Sequence, residues 1–88
     1  MIIENIYYSS HFARAFKKLP AEIQKQAIAQ EKLFRKDCFD PRLRTHKLKG
    51  ELGSYWSFSV NYSYRILCEF QKDGSVGFVD IGPHTVYK

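Results

Sequence analysis

Eighty-eight residues are too few for two parts that each bury a useful core, so one domain spanning residues 1–88 is expected. A hydrophobic share of 44%, with 16% aromatic residues, excludes a disordered chain, because Phe and Tyr bury large area per residue and offset chain entropy. Fourteen Lys and Arg against nine Asp and Glu leave a formal charge of +5, which favours an anionic partner. No charged-then-apolar leader follows Met1 and no apolar run is long enough for a bilayer, so the expectation is a cytoplasmic protein with no membrane partner. Cys38 and Cys68 lie in different segments and form no Cys-x-x-Cys pattern, which reads as two buried or half-buried thiols in a reducing compartment.

Residues 2–8, Ile-Ile-Glu-Asn-Ile-Tyr-Tyr, are rich in β-branched and aromatic side chains and predict a first strand. Ser9 and Ser10 then supply a helix N-cap. Phe12, Phe16 and Leu19 recur at helical spacing, and Lys17 and Lys18 suit the carbonyl end of the dipole, so a helix is predicted over 10–19. Pro20 stops it and fits the first turn of a second helix. Ile23, Ala27, Gln30 and Phe34 mark one face of that helix, with Lys25, Lys32 and Arg35 opposite. Asp40-Pro41 ends the helical region, since the residue before Pro is pushed out of the α conformation.

A loop over 42–50 leads into an alternating strand after Gly53, with Trp56, Phe58 and Val60 pointing one way and Ser57, Ser59 and Asn61 the other. Asn61-Tyr62-Ser63 makes a tight connection to a strand over 64–70, and Lys72-Asp73-Gly74 turns the chain into a last strand at 76–81. The order is strand, two helices, three-strand meander. It predicts an α+β fold: a small antiparallel sheet with the helix pair packed on one face. On the strand over 64–70, Tyr64, Ile66, Cys68 and Phe70 suit the core, which leaves Arg65, Leu67 and Glu69 on the open face.

Arg35, Lys36, Arg42, Arg44, Lys47 and Lys49 fall within fifteen residues, with Asp37 and Asp40 the only acids among them, so a local positive patch is expected. Arg42, Arg44, Lys47 and Lys49 are candidate contacts to a polyanion. His46 sits between cations, where it can shuttle a proton near neutral pH; the bland alternative is a solvated basic loop. Arg65 suits bidentate phosphate contact or stabilisation of developing negative charge, or else a structural ion pair with Glu69. His84 and Tyr87 follow the last strand and are candidates for chemistry, against a plug for the sheet edge and a satisfied backbone carbonyl. His11 carries no partner signal and reads as surface. No Gly-rich phosphate loop, nucleophile elbow or spaced ligand set is present, so no metal or cofactor is expected.

His-Lys-Leu-Lys-Gly at 46–50, Tyr-Trp-Ser at 55–57, Tyr-Arg-Ile-Leu at 64–67 and Asp-Ile-Gly-Pro-His-Thr-Val-Tyr at 80–87 together resemble the RelE/ParE toxin superfamily. The resemblance implies a type II toxin neutralised by a cognate antitoxin and touching operator DNA only through it. In the RelE branch it implies a metal-independent endoribonuclease that cuts messenger RNA on the ribosome. It implies that Arg65 stabilises the transition state, that Lys47 and Lys49 hold the phosphate, and that Tyr87 stacks on a substrate base. His46 and His84 match histidines of the YafQ-like branch, which makes His46 or a neighbouring lysine the proton acceptor and His84 the donor, with the exchange of roles between the two histidines as the alternative. Val60 and Tyr64 stand where YafQ-like members place a second His and an Asp, and no loop glutamate matches the YoeB-like base. A ParE-like inhibitor of DNA gyrase and an inactive homologue that only binds its antitoxin are the alternatives, and both would dispense with His84 and Tyr87.

Overall fold

The computed structural model describes residues 1–83, with Leu52 described by its backbone only. Its elements are β1 (Ile6–Tyr8), α1 (Ser10–Lys17), α2 (Ala21–Lys36), β2 (His46–Lys47), β3 (Trp56–Ser59), β4 (Tyr64–Phe70) and β5 (Val76–Pro83), with 3-10 turns at Pro41–Leu43 and Gly50–Leu52. Ser9 is the cap of α1: its Oγ accepts from the Phe12 N–H at 2.9 Å and donates to the Val79 carbonyl at 2.8 Å, so one hydroxyl starts the helix and ties it to β5. The helix ends at Lys17, two residues before the expected boundary. The N–H groups of Lys18 and Leu19 reach back in a tighter turn to Ala15 and Phe16, and Gln24 Nε2 of α2 caps the Phe16 carbonyl at 2.9 Å.

The first strand is shorter than the composition of residues 2–8 suggests. Residues before Ile6 run instead past the end of α2, where Ile3 donates to the Arg35 carbonyl at 2.9 Å and Cys38 donates to the Met1 carbonyl at 3.2 Å. The last carbonyls of a helix lack intrahelical donors, and this segment supplies one.

The α+β architecture follows the expectation, with the five strands in the order β1-β5-β4-β3-β2. One feature of the sheet differs: β1 runs parallel to β5, with Ile6 opposite Val76 and Tyr8 opposite Phe78, so the sheet is mixed rather than antiparallel throughout. The two helices and strands β2, β3 and β4 lie between these strands in sequence, which is ample chain for a same-direction return. β2, a two-residue strand inside the expected loop, pairs antiparallel with β3.

The helices cover one sheet face. Phe34 of α2 is fully buried and stacks on Phe58 with centroids 4.5 Å apart, while Phe78 meets Phe34 edge-on at 5.6 Å. Both thiols lie buried, as the sequence suggested, and burial pushes the Cys68 thiol up to about 12 and raises that of Cys38.

Between Leu67 and Cys68 the β4–β5 register shifts: Leu67 faces Asp80, whereas Cys68 faces Phe78. Val79 is the extra residue of this bulge, so Phe78 and Ile81, three apart, both reach the core. Val79 packs on the other face with Leu67, Leu48 and Tyr55. That face, expected to be open, therefore carries a small apolar cluster, closed by Leu48 as the loop returns with its N–H on the Tyr55 carbonyl at 3.0 Å.

Candidate functional site

β2 pairs only with Trp56 and Ser57, so β3 has a free flank around Ser59. The chain that precedes β2 fills this place in a way its own chemistry dictates. Asp40 Oδ1 accepts from the Arg42 N–H at 2.9 Å and opens the 3-10 turn, whose Leu43 is buried. Arg44 closes the turn in the left-handed region at φ 53°, an uncommon conformation for a residue that carries a Cβ. The abrupt reversal sends Arg42 and Arg44 to the same cleft. Arg65, opposite Ser59 in the β3–β4 register, completes a group of three arginines in a hollow of about 420 Å³.

Gln30, Ser59, Asn61 and Tyr62 form the rest of the lining. Asn61 Oδ1 accepts from the N–H groups of Ser63 and Tyr64, both at 2.8 Å, and its Nδ2 donates to Gln26 Oε1 at 2.6 Å. Gln30 Nε2 donates to the Ser59 carbonyl at 3.0 Å. Helix α2 thus braces both the β3 flank and the β3–β4 turn.

The three arginines are not equivalent. Arg42 is chelated by Asp40, with Nε and Nη2 at 3.0 and 2.9 Å from its two oxygens. The guanidinium holds the Asp40 carboxyl down to about 2. Arg65 is half-buried, its Nη1 is enclosed with no hydrogen-bond partner, and it makes no ion pair among the described residues. The alternative pairing with Glu69 is not made; Glu69 accepts from Gln71 at 3.3 Å. Burial first, and then the neighbouring Arg44 charge, lower the Arg65 pKa from its ordinary value, yet a guanidinium remains a cation in proteins. An enclosed donor on a cation without an acceptor is costly unless an anion meets it.

His46 lies opposite Ser57, which faces Leu67, so it stands on the Arg65 face of the sheet, next to the cleft and outside its lining. Its Nδ1 is 2.9 Å from the Arg44 carbonyl. A carbonyl only accepts, so Nδ1 carries the proton and, in the neutral ring, Nε2 is left as an acceptor. Lys47 pairs with Trp56 and belongs to the other face by the alternation of the strand. Lys49 is exposed beyond Leu48 and lines no part of the cleft. His84 and Tyr87 lie outside the described residues.

His11, read as partnerless surface, is 3.0 Å from Asp80 Oδ1. The Ser9 anchor on Val79 brings the first turn of α1 to that position. Gln30, Asn61 and Tyr62 were not singled out by sequence as site residues. One signal was present: an aromatic residue in the middle of an Asn-x-Ser turn is not chosen for turn geometry. A second hollow, about 350 Å³ between α1 and α2, is lined mainly by Phe12, Phe16, Ala27 and Ile28 and gathers no arginine.

Fold and cleft together define a small α+β protein that presents clustered arginine side chains on the flank of its sheet. Residues 21–88 match the ParE-like toxin domain, and the chain belongs to that family, within the RelE/ParE toxin superfamily. No curated protein matches it. Among solved structures, it is similar to the YoeB/ParE toxin from Agrobacterium tumefaciens, with a TM-score of 0.77 at 12% identity over 92% of this chain and 99% of that one. It is also similar to a chain of the DinJ–YafQ toxin–antitoxin complex from E. coli, with a TM-score of 0.74, 17% identity and 97% of both chains covered. A chain of the archaeal RelE–RelB complex from Pyrococcus horikoshii OT3 gives a TM-score of 0.74 at 15% identity, covering 94% of this chain and 96% of that one. At these identities the likeness is one of fold.

Proposed function

We propose that the chain is the toxin of a type II toxin–antitoxin system and an endoribonuclease that cuts messenger RNA on the ribosome. The observation that carries this reading is Arg65, half-buried beside Arg44 with an enclosed nitrogen that has no acceptor among the described residues. A phosphate diester supplies the missing acceptor, and the fork of a guanidinium matches it.

In the reaction the 2′-oxygen of a ribose attacks the adjacent phosphorus, the bond to the 5′-oxygen breaks, and the products are a cyclic phosphate and a free 5′-hydroxyl. His46 Nε2 takes the proton of the 2′-hydroxyl, because the Arg44 carbonyl holds the ring in the tautomer that leaves this nitrogen open. This favours His46 over Lys47, which belongs to the opposite face. Arg65 and Arg44 neutralise the crowded phosphorane. His84 gives the proton to the leaving oxygen and Tyr87 stacks on a base, roles taken from the family resemblance. Lys47 and Lys49 steer the strand from outside the cleft. DNA lacks the nucleophile and is refused.

A cognate antitoxin is the protein partner. Support comes from relatives of the same fold that were solved as toxin–antitoxin complexes.

The test is cleavage of messenger RNA by purified protein, with and without ribosomes, for the wild type and Arg65→Ala. Loss of one preorganised group facing developing charge should slow cleavage by roughly a hundredfold or more, with the circular dichroism unchanged. Growth arrest that persists in Arg65→Ala without messenger cleavage would refute the nuclease and turn attention to a gyrase-directed, ParE-like action.

A further inference from the structure

We propose that Tyr62 is a base-stacking residue of the arginine cleft, holding the base of a nucleotide whose phosphate lies on Arg44 and Arg65. The proposal rests on the ribonuclease reading and extends it to a residue that no comparison or motif assigns. Tyr62 is 88% exposed, the most exposed of the large hydrophobic side chains among the described residues, and yet it lines the cleft rather than standing apart from it. Cations and an aromatic ring in one hollow match the two halves of a nucleotide: phosphate on guanidinium, base on ring.

The backbone that carries the ring is fixed. Asn61 Oδ1 accepts from the N–H groups of Ser63 and Tyr64, and Asn61 Nδ2 fastens the turn to Gln26 of α2. Val60 and Asn61 both donate to the Tyr64 carbonyl, at 2.9 and 3.4 Å, closing the turn from the other side. A tyrosine presented on such a turn loses little freedom when a base stacks on it, since only the side-chain torsions remain to be ordered. Turn geometry does not call for an aromatic here, and an exposed ring buries nothing in the core. Every base has a π-face, so the contact aligns single-stranded RNA without selecting sequence.

The experiment measures binding of two probes by the full-length chain: a short single-stranded oligoribonucleotide made uncleavable by 2′-methoxy groups, and an abasic ribose-phosphate oligomer of the same length. Tyr62→Ala and Tyr62→Leu should bind the base-bearing oligomer roughly tenfold more weakly and the abasic one unchanged, while Tyr62→Phe keeps wild-type affinity for both. Equal affinity of wild type and Tyr62→Ala for the base-bearing oligomer overturns the proposal. So does a wild type that does not distinguish the two probes, or toxicity lost in Tyr62→Ala with RNA binding intact, which would make the ring a protein contact. The measurement is made with and without ribosomes, and a folded wild type that binds neither probe under either condition refutes the ribonuclease reading itself, a different outcome from failure at Tyr62.

Discussion

Arg42 and Arg65 share a cleft, but their charges are handled differently: one is matched by its own carboxylate, and the other is left with an enclosed donor. The Asp40 carboxyl is held at about 2, below the ordinary unfolded value near 3.9, by the Arg42 guanidinium and then the Arg42 N–H. A depressed carboxyl stabilises the fold above the unfolded pKa, and that contribution drains away as pH falls from about 4 through about 2. Asp40→Asn keeps an oxygen to accept the Arg42 N–H and loses the charge. Its urea midpoint should therefore fall less than that of the wild type between about pH 5 and pH 2.5. Parallel acid profiles for the two proteins would mean that the pair contributes nothing to stability. The outward direction of Arg65 was legible from strand alternation, and the crowding of Arg42 and Arg44 from the charge run. Their convergence was not, because it depends on the β2–β3 register and on a left-handed Arg44, both set by contacts distant in sequence.

Helix α2 shows how far periodicity carries. Ile23, Ala27, Gln30 and Phe34 were read as one face; Ala27 and Phe34 are buried, Ile23 packs against the core, and Gln30, the polar member, reaches the β3 flank. Phe34 contacts Phe58, Phe70 and Phe78 and joins the helix to three strands. Phe34→Ala should cost about 3–5 kcal/mol by leaving a cavity that these rings cannot fill, read as a lower denaturant midpoint. A loss below about 1 kcal/mol would show that the helix is held elsewhere. The hairpin was legible too: Asp73 Oδ1 accepts from the Ser75 N–H at 2.9 Å, and Gly74 takes φ 89°, as the Asp-Gly pair predicts. The bulge at Val79 was not, since Val-Asp-Ile carries no local mark that one residue will be skipped. The length of β1 was hidden for a related reason: its partner is chosen by the sheet and not by its own composition.

At the scale of the whole molecule, a net charge of +5 says only that anions are welcome, and the cleft gives that charge an address. If Arg44 and Arg65 meet phosphates while Arg42 stays on Asp40, the logarithm of affinity for the uncleavable oligomer should fall with the logarithm of salt at a slope of about −1.4. A slope near zero would remove the cleft from RNA binding. The sheet order carries a different consequence. β1 pairs only with β5, and Ile6 waits for Val76, seventy residues further along. A chain growing from its first residue therefore holds β1 and β4 with unpaired edges until β5 has been made and inserted between them. Such a precursor has the arginines but no finished sheet to align them, so the cleft takes shape only once β5 has emerged and been inserted.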